Sequence, residues 1–170
     1  MPVERFVREV SLSVAFTREE DLEAAAAHVP DRPISPHENL VTAEGLAQLD
    51  EALAAAKAAY ATARTTGDVQ TDKTAMAIAA RDLRYFTARR GSAKLVQPGA
   101  GDGKVGFGTT VTFDRDDGRR QTFRIVGEDE ADAKKGSVSY VSPLARALFG
   151  RSVGDTAIVA GAEIEIVAIE

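Results

Sequence analysis

The chain has no cysteine in its 170 residues, which excludes a disulfide framework and any cysteine-ligated zinc site. Histidine is nearly absent as well. His28 and His37 stand on either side of proline and not at helical spacing, so a structural metal site is not expected. No apolar run approaches the length of a membrane span. The N-terminus lacks a basic start followed by an unbroken apolar core, the mark of a signal peptide. The formal net charge is -5, the wrong sign for gripping nucleic acid through an overall field. What remains is ordinary for a globular protein, 44% hydrophobic and 28% charged. A cytoplasmic protein with no membrane partner is expected.

Two apolar repeats organise the chain. Leu46, Leu49, Leu53, Ala56, Tyr60 and Ala63 follow a three-four spacing, which places them along one seam of a helix, as in a coiled coil. Met76, Ala79, Leu83 and Phe86 make a second seam, with Ala80 beside it. Between them lies Thr65-Thr66-Gly67-Asp68-Val69-Gln70-Thr71-Asp72, short enough to fold the helices into an antiparallel hairpin. Gly67 suits the left-handed residue that ends the first helix, and Thr71 or Asp72 suits the cap of the second. With Thr42 as its cap, the first helix is predicted over 43–65, roughly 35 Å at about 1.5 Å per residue. The second is predicted over 73–89, with Gly91 and Ser92 breaking it. Its basic end, Arg81, Arg84, Arg89, Arg90 and Lys94, reads equally as a solvated basic face or as a phosphate-binding patch.

Residues 1–40 read as an extension. Val10, Leu12, Val14 and Phe16 alternate, as in a short strand. Thr17-Arg18-Glu19-Glu20 is a capping box, opening a helix through Leu22 and the alanines at 24–27. Pro30, Pro33 and Pro36 then favour an extended connector.

After the hairpin (41–97), Pro98-Gly99-Ala100-Gly101-Asp102-Gly103 is a hinge. It is followed by a strand, where a phosphate-binding loop would need a helix. From Lys104 the period changes to two. Val105, Phe107, Thr109, Val111 and Phe113 face one way, predicting a half-buried strand. Asp117-Gly118 turns it into a partner over 121–126. Further strands are expected at 138–141, 156–160 and 164–169, with a short helix capped by Ser142 and opened by Pro143. The fold class is therefore α+β: a helical hairpin, then a small antiparallel sheet domain over 104–170 with one helix across it.

Several separated motifs of this last domain resemble one family. Val105-Gly106-Phe107-Gly108-Thr109-Thr110-Val111, Arg124-Ile125-Val126-Gly127-Glu128-Asp129-Glu130-Ala131-Asp132, Gly136-Ser137-Val138-Ser139 and Ser142-Pro143-Leu144-Ala145-Arg146-Ala147-Leu148 are similar to the C-terminal domain of the GreA/GreB transcript-cleavage factors. The resemblance implies an FKBP-like domain docking beside the secondary channel of RNA polymerase. It also implies a coiled coil entering that channel towards the nascent RNA. The docking surface it suggests is Ser142, Pro143, Leu144 and Arg146. The chain would have no cofactor of its own and would not be an enzyme, because the polymerase active site does the chemistry. In the family, acids at the hairpin tip help hold a second Mg²⁺ there. On this resemblance Asp68 and Asp72 are the candidate catalytic and metal-holding residues.

The tip departs from the family pattern. Gly67-Asp68-Val69 has valine where the family has leucine, Thr71 stands at the glutamate position and Asp72 at the asparagine position. The aromatic expected beyond them is missing. Each arm aligns about one heptad short, roughly 10 Å of reach, while a carboxylate must come within about 2.1 Å of Mg²⁺ to bind it. On the plainer reading Asp68 only finishes the turn and Asp72 is only a helix cap. The alternative reading is a non-cleaving polymerase-binding regulator, or an interaction module resembling the regulator of nucleoside diphosphate kinase. A prolyl isomerase rests on fold alone.

Overall fold

The computed structural model describes residues 29–65, 71–97 and 103–170, with the backbone alone at 71–73. The strand expected at Val10–Phe16, the helix expected from Thr17, His28, the tip residues Gly67 and Asp68, and most of the 98–103 hinge lie outside the described residues.

Helix α1 spans Ala43–Thr65 and helix α2 spans Thr71–Ser92. They pack along the two expected seams. Leu49, Ala56 and Ala79 are buried, and Leu46, Leu53, Tyr60, Ala63, Met76, Leu83 and Phe86 are half-buried. Small residues at the centre of each seam let the helices approach closely. Helix α2 starts earlier and ends later than its sequence suggests. Thr71 is already helical, so Asp72 stands in the first turn and not at the cap. At the other end the helix runs through Gly91, and the Ser92 hydroxyl donates to the Ala88 carbonyl at 2.9 Å.

Two short strands that the sequence does not announce close the base of the hairpin. Strand β1 (Leu40–Val41) pairs in parallel with β2 (Lys94–Leu95). The Asn39 amide donates to the Arg89 carbonyl at 2.6 Å, tying the incoming chain to the last turn of α2.

The rest is a five-stranded sheet. Its strands are β3 (Thr110–Arg115), β4 (Arg120–Val126), β5 (Ser137–Ser139), β6 (Thr156–Val159) and β7 (Ala162–Ile169), in the order β5-β4-β3-β7-β6. Helix α3 (Pro143–Leu148) lies on one face. Val111, Phe113, Ile125, Ile164 and Ile166 meet Ala145 and Leu148 in one buried cluster. Each large apolar side chain buried there is worth roughly 1.5–3 kcal/mol against water.

Two expectations for the sheet need correcting. It is not wholly antiparallel, because β5 runs parallel to β4. The connection between them holds a 3-10 turn at Ala133–Lys135, with Asp132 as its cap, and is long enough to bring the chain back in the same direction. The first strand also begins at Thr110 and not at Val105. Gly108 has φ of 82°, and the Thr109 hydroxyl donates back to the Gly106 carbonyl at 2.8 Å. That turn keeps Val105 and Phe107 buried, so the period-two burial persists ahead of the strand, where Val105 exchanges backbone hydrogen bonds with Gly150 and Arg151.

Hairpin and sheet meet at the first turn of α1. The Thr42 hydroxyl accepts from the Gly45 N–H at 3.0 Å, as a cap should. The cap residue's own N–H is satisfied from the other domain. The Glu130 carboxylate accepts from Thr42 N at 3.0 Å, from the Thr42 hydroxyl at 2.5 Å and from Gly127 N at 2.8 Å. This is the geometry of a capping box, with its glutamate supplied 88 residues away. There is no room for a side chain at the contact: a Cβ at Gly45 would collide with the Glu130 carboxylate, and one at Gly127 with the Leu40 carbonyl. Since Thr42 is only 1% exposed, Glu130→Ala leaves a buried N–H without a partner. It should cost about 2 kcal/mol or more of unfolding free energy, read as a lower urea midpoint.

Candidate functional site

The two candidate tip acids are not equally described. Asp72 is in the first turn of α2, its position set by the backbone, and Asp68 falls within 66–70, outside the described residues. Among the described residues, no group of three or more histidines and carboxylates could hold a metal ion.

The four candidate docking residues sit together on α3. Ser142 is its cap, in extended backbone at φ -63° and ψ 152°, and its hydroxyl accepts from the Ala145 N–H at 3.1 Å. Pro143 opens the helix and is exposed, while Leu144 packs against the core cluster. Arg146 is exposed, with its guanidinium 3.4 Å from the His37 ring. Two of the four thus have structural duties, and Pro143 and Arg146 form the accessible part. The Pro-rich connector crosses beside them: the Tyr140 hydroxyl donates to the Glu38 carbonyl at 2.5 Å.

The basic end of α2 is matched by acids and is not a bare cationic face. Each of its five cations has a carboxylate partner: Arg81 with Asp82, Arg84 with Asp31, Arg89 with Asp129, Arg90 with Asp50, and Lys94 with Glu38. Four of the five are partly or fully exposed. Arg89 is 2% exposed and is the largest fully buried side chain. Its guanidinium meets Asp129, with Glu128 at 3.8 Å. The Tyr85 hydroxyl donates to the same Asp129 at 2.5 Å. Burial first, and then the neighbouring Asp129, raise the Tyr85 phenol above its ordinary value. Burial does the same for Tyr140, reinforced by Glu128.

The residues that sequence reasoning passed over are therefore Glu128, Asp129 and Glu130. The run Gly127-Glu128-Asp129-Glu130 reads along the chain as an acidic loop. In space it is the joint that holds the hairpin to the sheet. Sequence offers one signal for this: the chain contains a basic helix end and an acidic loop, each in need of an opposite charge.

Removing the buried Arg89 guanidinium leaves the Asp129 carboxylate, 16% exposed, beside that of Glu128 with no counter-ion, the costly way to break a pair largely withdrawn from water. Arg89→Met should destabilise the fold by about 3–5 kcal/mol. Arg84→Met and Arg90→Met, which break exposed pairs, should stay within about 1 kcal/mol of the parent. Urea unfolding of the three variants checks the contrast, and equal costs would contradict the joint.

Residues 100–170 match the family model described as "Transcription elongation factor, GreA/GreB, C-term". The chain is 40% identical over 134 residues to transcription elongation factor GreA of Alkalilimnicola ehrlichii, covering 68% of this chain and 84% of that one. It is 41% identical over 138 residues to GreA of Hyphomonas neptunium, covering 71% and 87%. Among solved structures, the GreA factor homolog 1 of Thermus thermophilus aligns over 79% of this chain and 99% of its own, at 22% identity and a TM-score of 0.37. Identity at this level across most of each GreA chain, with the family's C-terminal motifs in order, places the protein in the GreA/GreB family of transcription elongation factors.

Proposed function

We propose that the chain binds RNA polymerase at its secondary channel and modulates elongation, with the hairpin as the inserted element and α3 as the docking element. The observation that carries this reading is family membership over more than two thirds of the GreA relatives' length. The shape supports it. A hairpin with arms of 23 and 22 residues, each roughly 35 Å long, projects from a sheet domain through a joint that a buried ion pair and a shared carboxylate hold firm. The sheet with α3 across one face is read as the FKBP-like domain of the family. In this reading the polymerase's own active site performs the chemistry and this chain is not the catalyst. No described helix is long and apolar enough to cross a membrane.

Asp68 and Asp72 are the carboxylates the tip would offer to a Mg²⁺ shared with the polymerase, close to the RNA end. Bound there, the ion would stabilise charge developing on the transcript's phosphodiester. A second reading is favoured by the short arms and by Thr71 and Asp72 at the tip. On that reading the hairpin occupies the channel without placing carboxylates within reach of the ion.

Two measurements decide between these. Arg146→Glu should weaken binding to polymerase by about tenfold or more, the scale of one interfacial charge contact, with circular dichroism unchanged. Undiminished affinity removes α3 as the docking element. On backtracked complexes, a tip that reaches makes Asp68→Ala about 10²-fold slower in transcript cleavage, the scale of one lost transition-state contact. A tip that falls short leaves transcripts intact with parent and variant alike, while both compete with an authentic cleavage factor for the channel.

A further inference from the structure

The prolines of the connector ahead of β1 dictate its backbone. Pro30, Pro33 and Pro36 each fix φ at about −65°. Val29, Arg32 and Ser35, which precede them, are pushed into extended conformations by the ring that follows. Six of the eight residues from 29 to 36 are thus held extended by their own sequence. The regular form open to such a segment is the left-handed polyproline II helix, with three residues per turn.

Burial along the connector has that period. Val29, Arg32 and Ser35 are half-buried, whereas Pro30, Pro33 and Pro36 are exposed, as are Asp31, Ile34 and His37. The half-buried edge is fastened to α2 through Arg32. Its guanidinium lies 3.7 Å from the centre of the Tyr85 ring and 3.9 Å from Asp82. Asp31 pairs with Arg84 alongside. The other two edges turn outward as a ridge of proline rings with Ile34, itself 52% exposed.

The ridge runs into the docking element. The chain bends at Pro36 and His37, where the Ser35 hydroxyl accepts from the His37 N–H at 3.2 Å. The His37 ring then meets the Arg146 guanidinium at 3.4 Å, and the Tyr140 hydroxyl donates to the Glu38 carbonyl. Pro143 stands one turn from Arg146 on the same helix and is also exposed. Pro33, Ile34, Pro36, His37, Arg146 and Pro143 therefore follow one another along a continuous exposed strip.

A polyproline II ridge fits a shallow groove walled by aromatic side chains, whose faces pack on the proline rings. The chain is already extended and pinned to α2, so seating it costs little conformational entropy. Nucleic acid is a poor fit, because the outward edges carry Asp31 and no lysine or arginine. We infer that the ridge of Pro30, Pro33, Ile34 and Pro36 is a second polymerase contact, continuous with α3, that seats in an aromatic-lined groove on the polymerase surface. The inference rests on the polymerase reading and adds to it a surface outside both the hairpin and the sheet domain.

The test uses the full chain and RNA polymerase core enzyme, with affinity read by fluorescence anisotropy. Two ridge variants are compared with the parent and with Arg146→Glu. Pro33→Ala with Ile34→Ser removes apolar contact, and Ile34→Asp leaves every proline in place. Each should weaken binding by about tenfold or more, the scale of an interface hot spot. Circular dichroism and the thermal midpoint should stay at the parent values, since both side chains are exposed. The loss in the Pro33→Ala, Ile34→Ser variant should persist as salt is raised, whereas the loss in Arg146→Glu should shrink through screening. Ridge variants that bind as tightly as the parent, while Arg146→Glu binds weakly, overturn the inference and leave α3 as the docking element. A loss in the uncharged variant that vanishes with salt marks an indirect effect on Arg146 and also overturns it. So does a change confined to sedimentation of the factor alone, which assigns the ridge to a second copy. A parent that does not bind polymerase at all removes the polymerase reading and the ridge contact together.

Discussion

Glu130 is the residue on which the architecture turns. A helix begins with backbone N–H groups that have no partner within the helix, and a buried helix start must find acceptors elsewhere. Here Thr42 satisfies one inside its own helix, and Glu130 satisfies the cap residue itself from the sheet domain. The same carboxylate closes its own loop through Gly127. One side chain thus defines a helix start, a loop and the angle between two bodies. Arg89 and Asp129 reinforce it from the other helix, so both arms of the hairpin are held to the sheet by neighbouring residues of one loop.

Such a joint has mechanical meaning. A long arm amplifies any rotation at its base, and over roughly 35 Å a rocking of about 10° moves the far end by roughly 6 Å, given helix dimensions. A lever that must deliver its tip to one place needs a stiff root, and here the root is a buried ion pair and a charge-assisted cap. The exposed pairs along α2 add little stiffness, being wet and individually weak. They use up its basic charge, so the side of the lever carries no free cationic stripe among the described residues.

Features set by near neighbours were legible in the sequence. The seams of α1 and α2 follow from apolar spacing, the Thr42 and Ser142 caps from side-chain chemistry, and the Asp117-Gly118 turn from its need for a left-handed glycine at φ 81°. Features whose partners lie far away in the chain were not. Arg89 looked like any helix-end cation until Asp129, 40 residues on, was beside it. The early start assigned to the first sheet strand came from a real signal, since Val105 and Phe107 are buried in alternation, but a glycine turn produces the same pattern as a pleat. The parallel β5 was hidden because pairing direction depends on the route of a connecting loop. At the candidate site, α3 was readable from Ser142-Pro143, whereas the structural duties of Ser142 and Leu144 emerged only with the core in place.

The 88-residue gap between Thr42 and Glu130 also bears on how the protein is made. A ribosome adding about 5–20 residues per second exposes α1 several seconds before it has synthesised the glutamate that completes its start. During that interval the nascent hairpin has its seams but not its root. The joint is assembled only when the second β-strand of the sheet and the loop after it have left the exit tunnel. Orientation is therefore acquired after the hairpin itself, and the newborn molecule passes through a stage with its lever formed and its fulcrum missing.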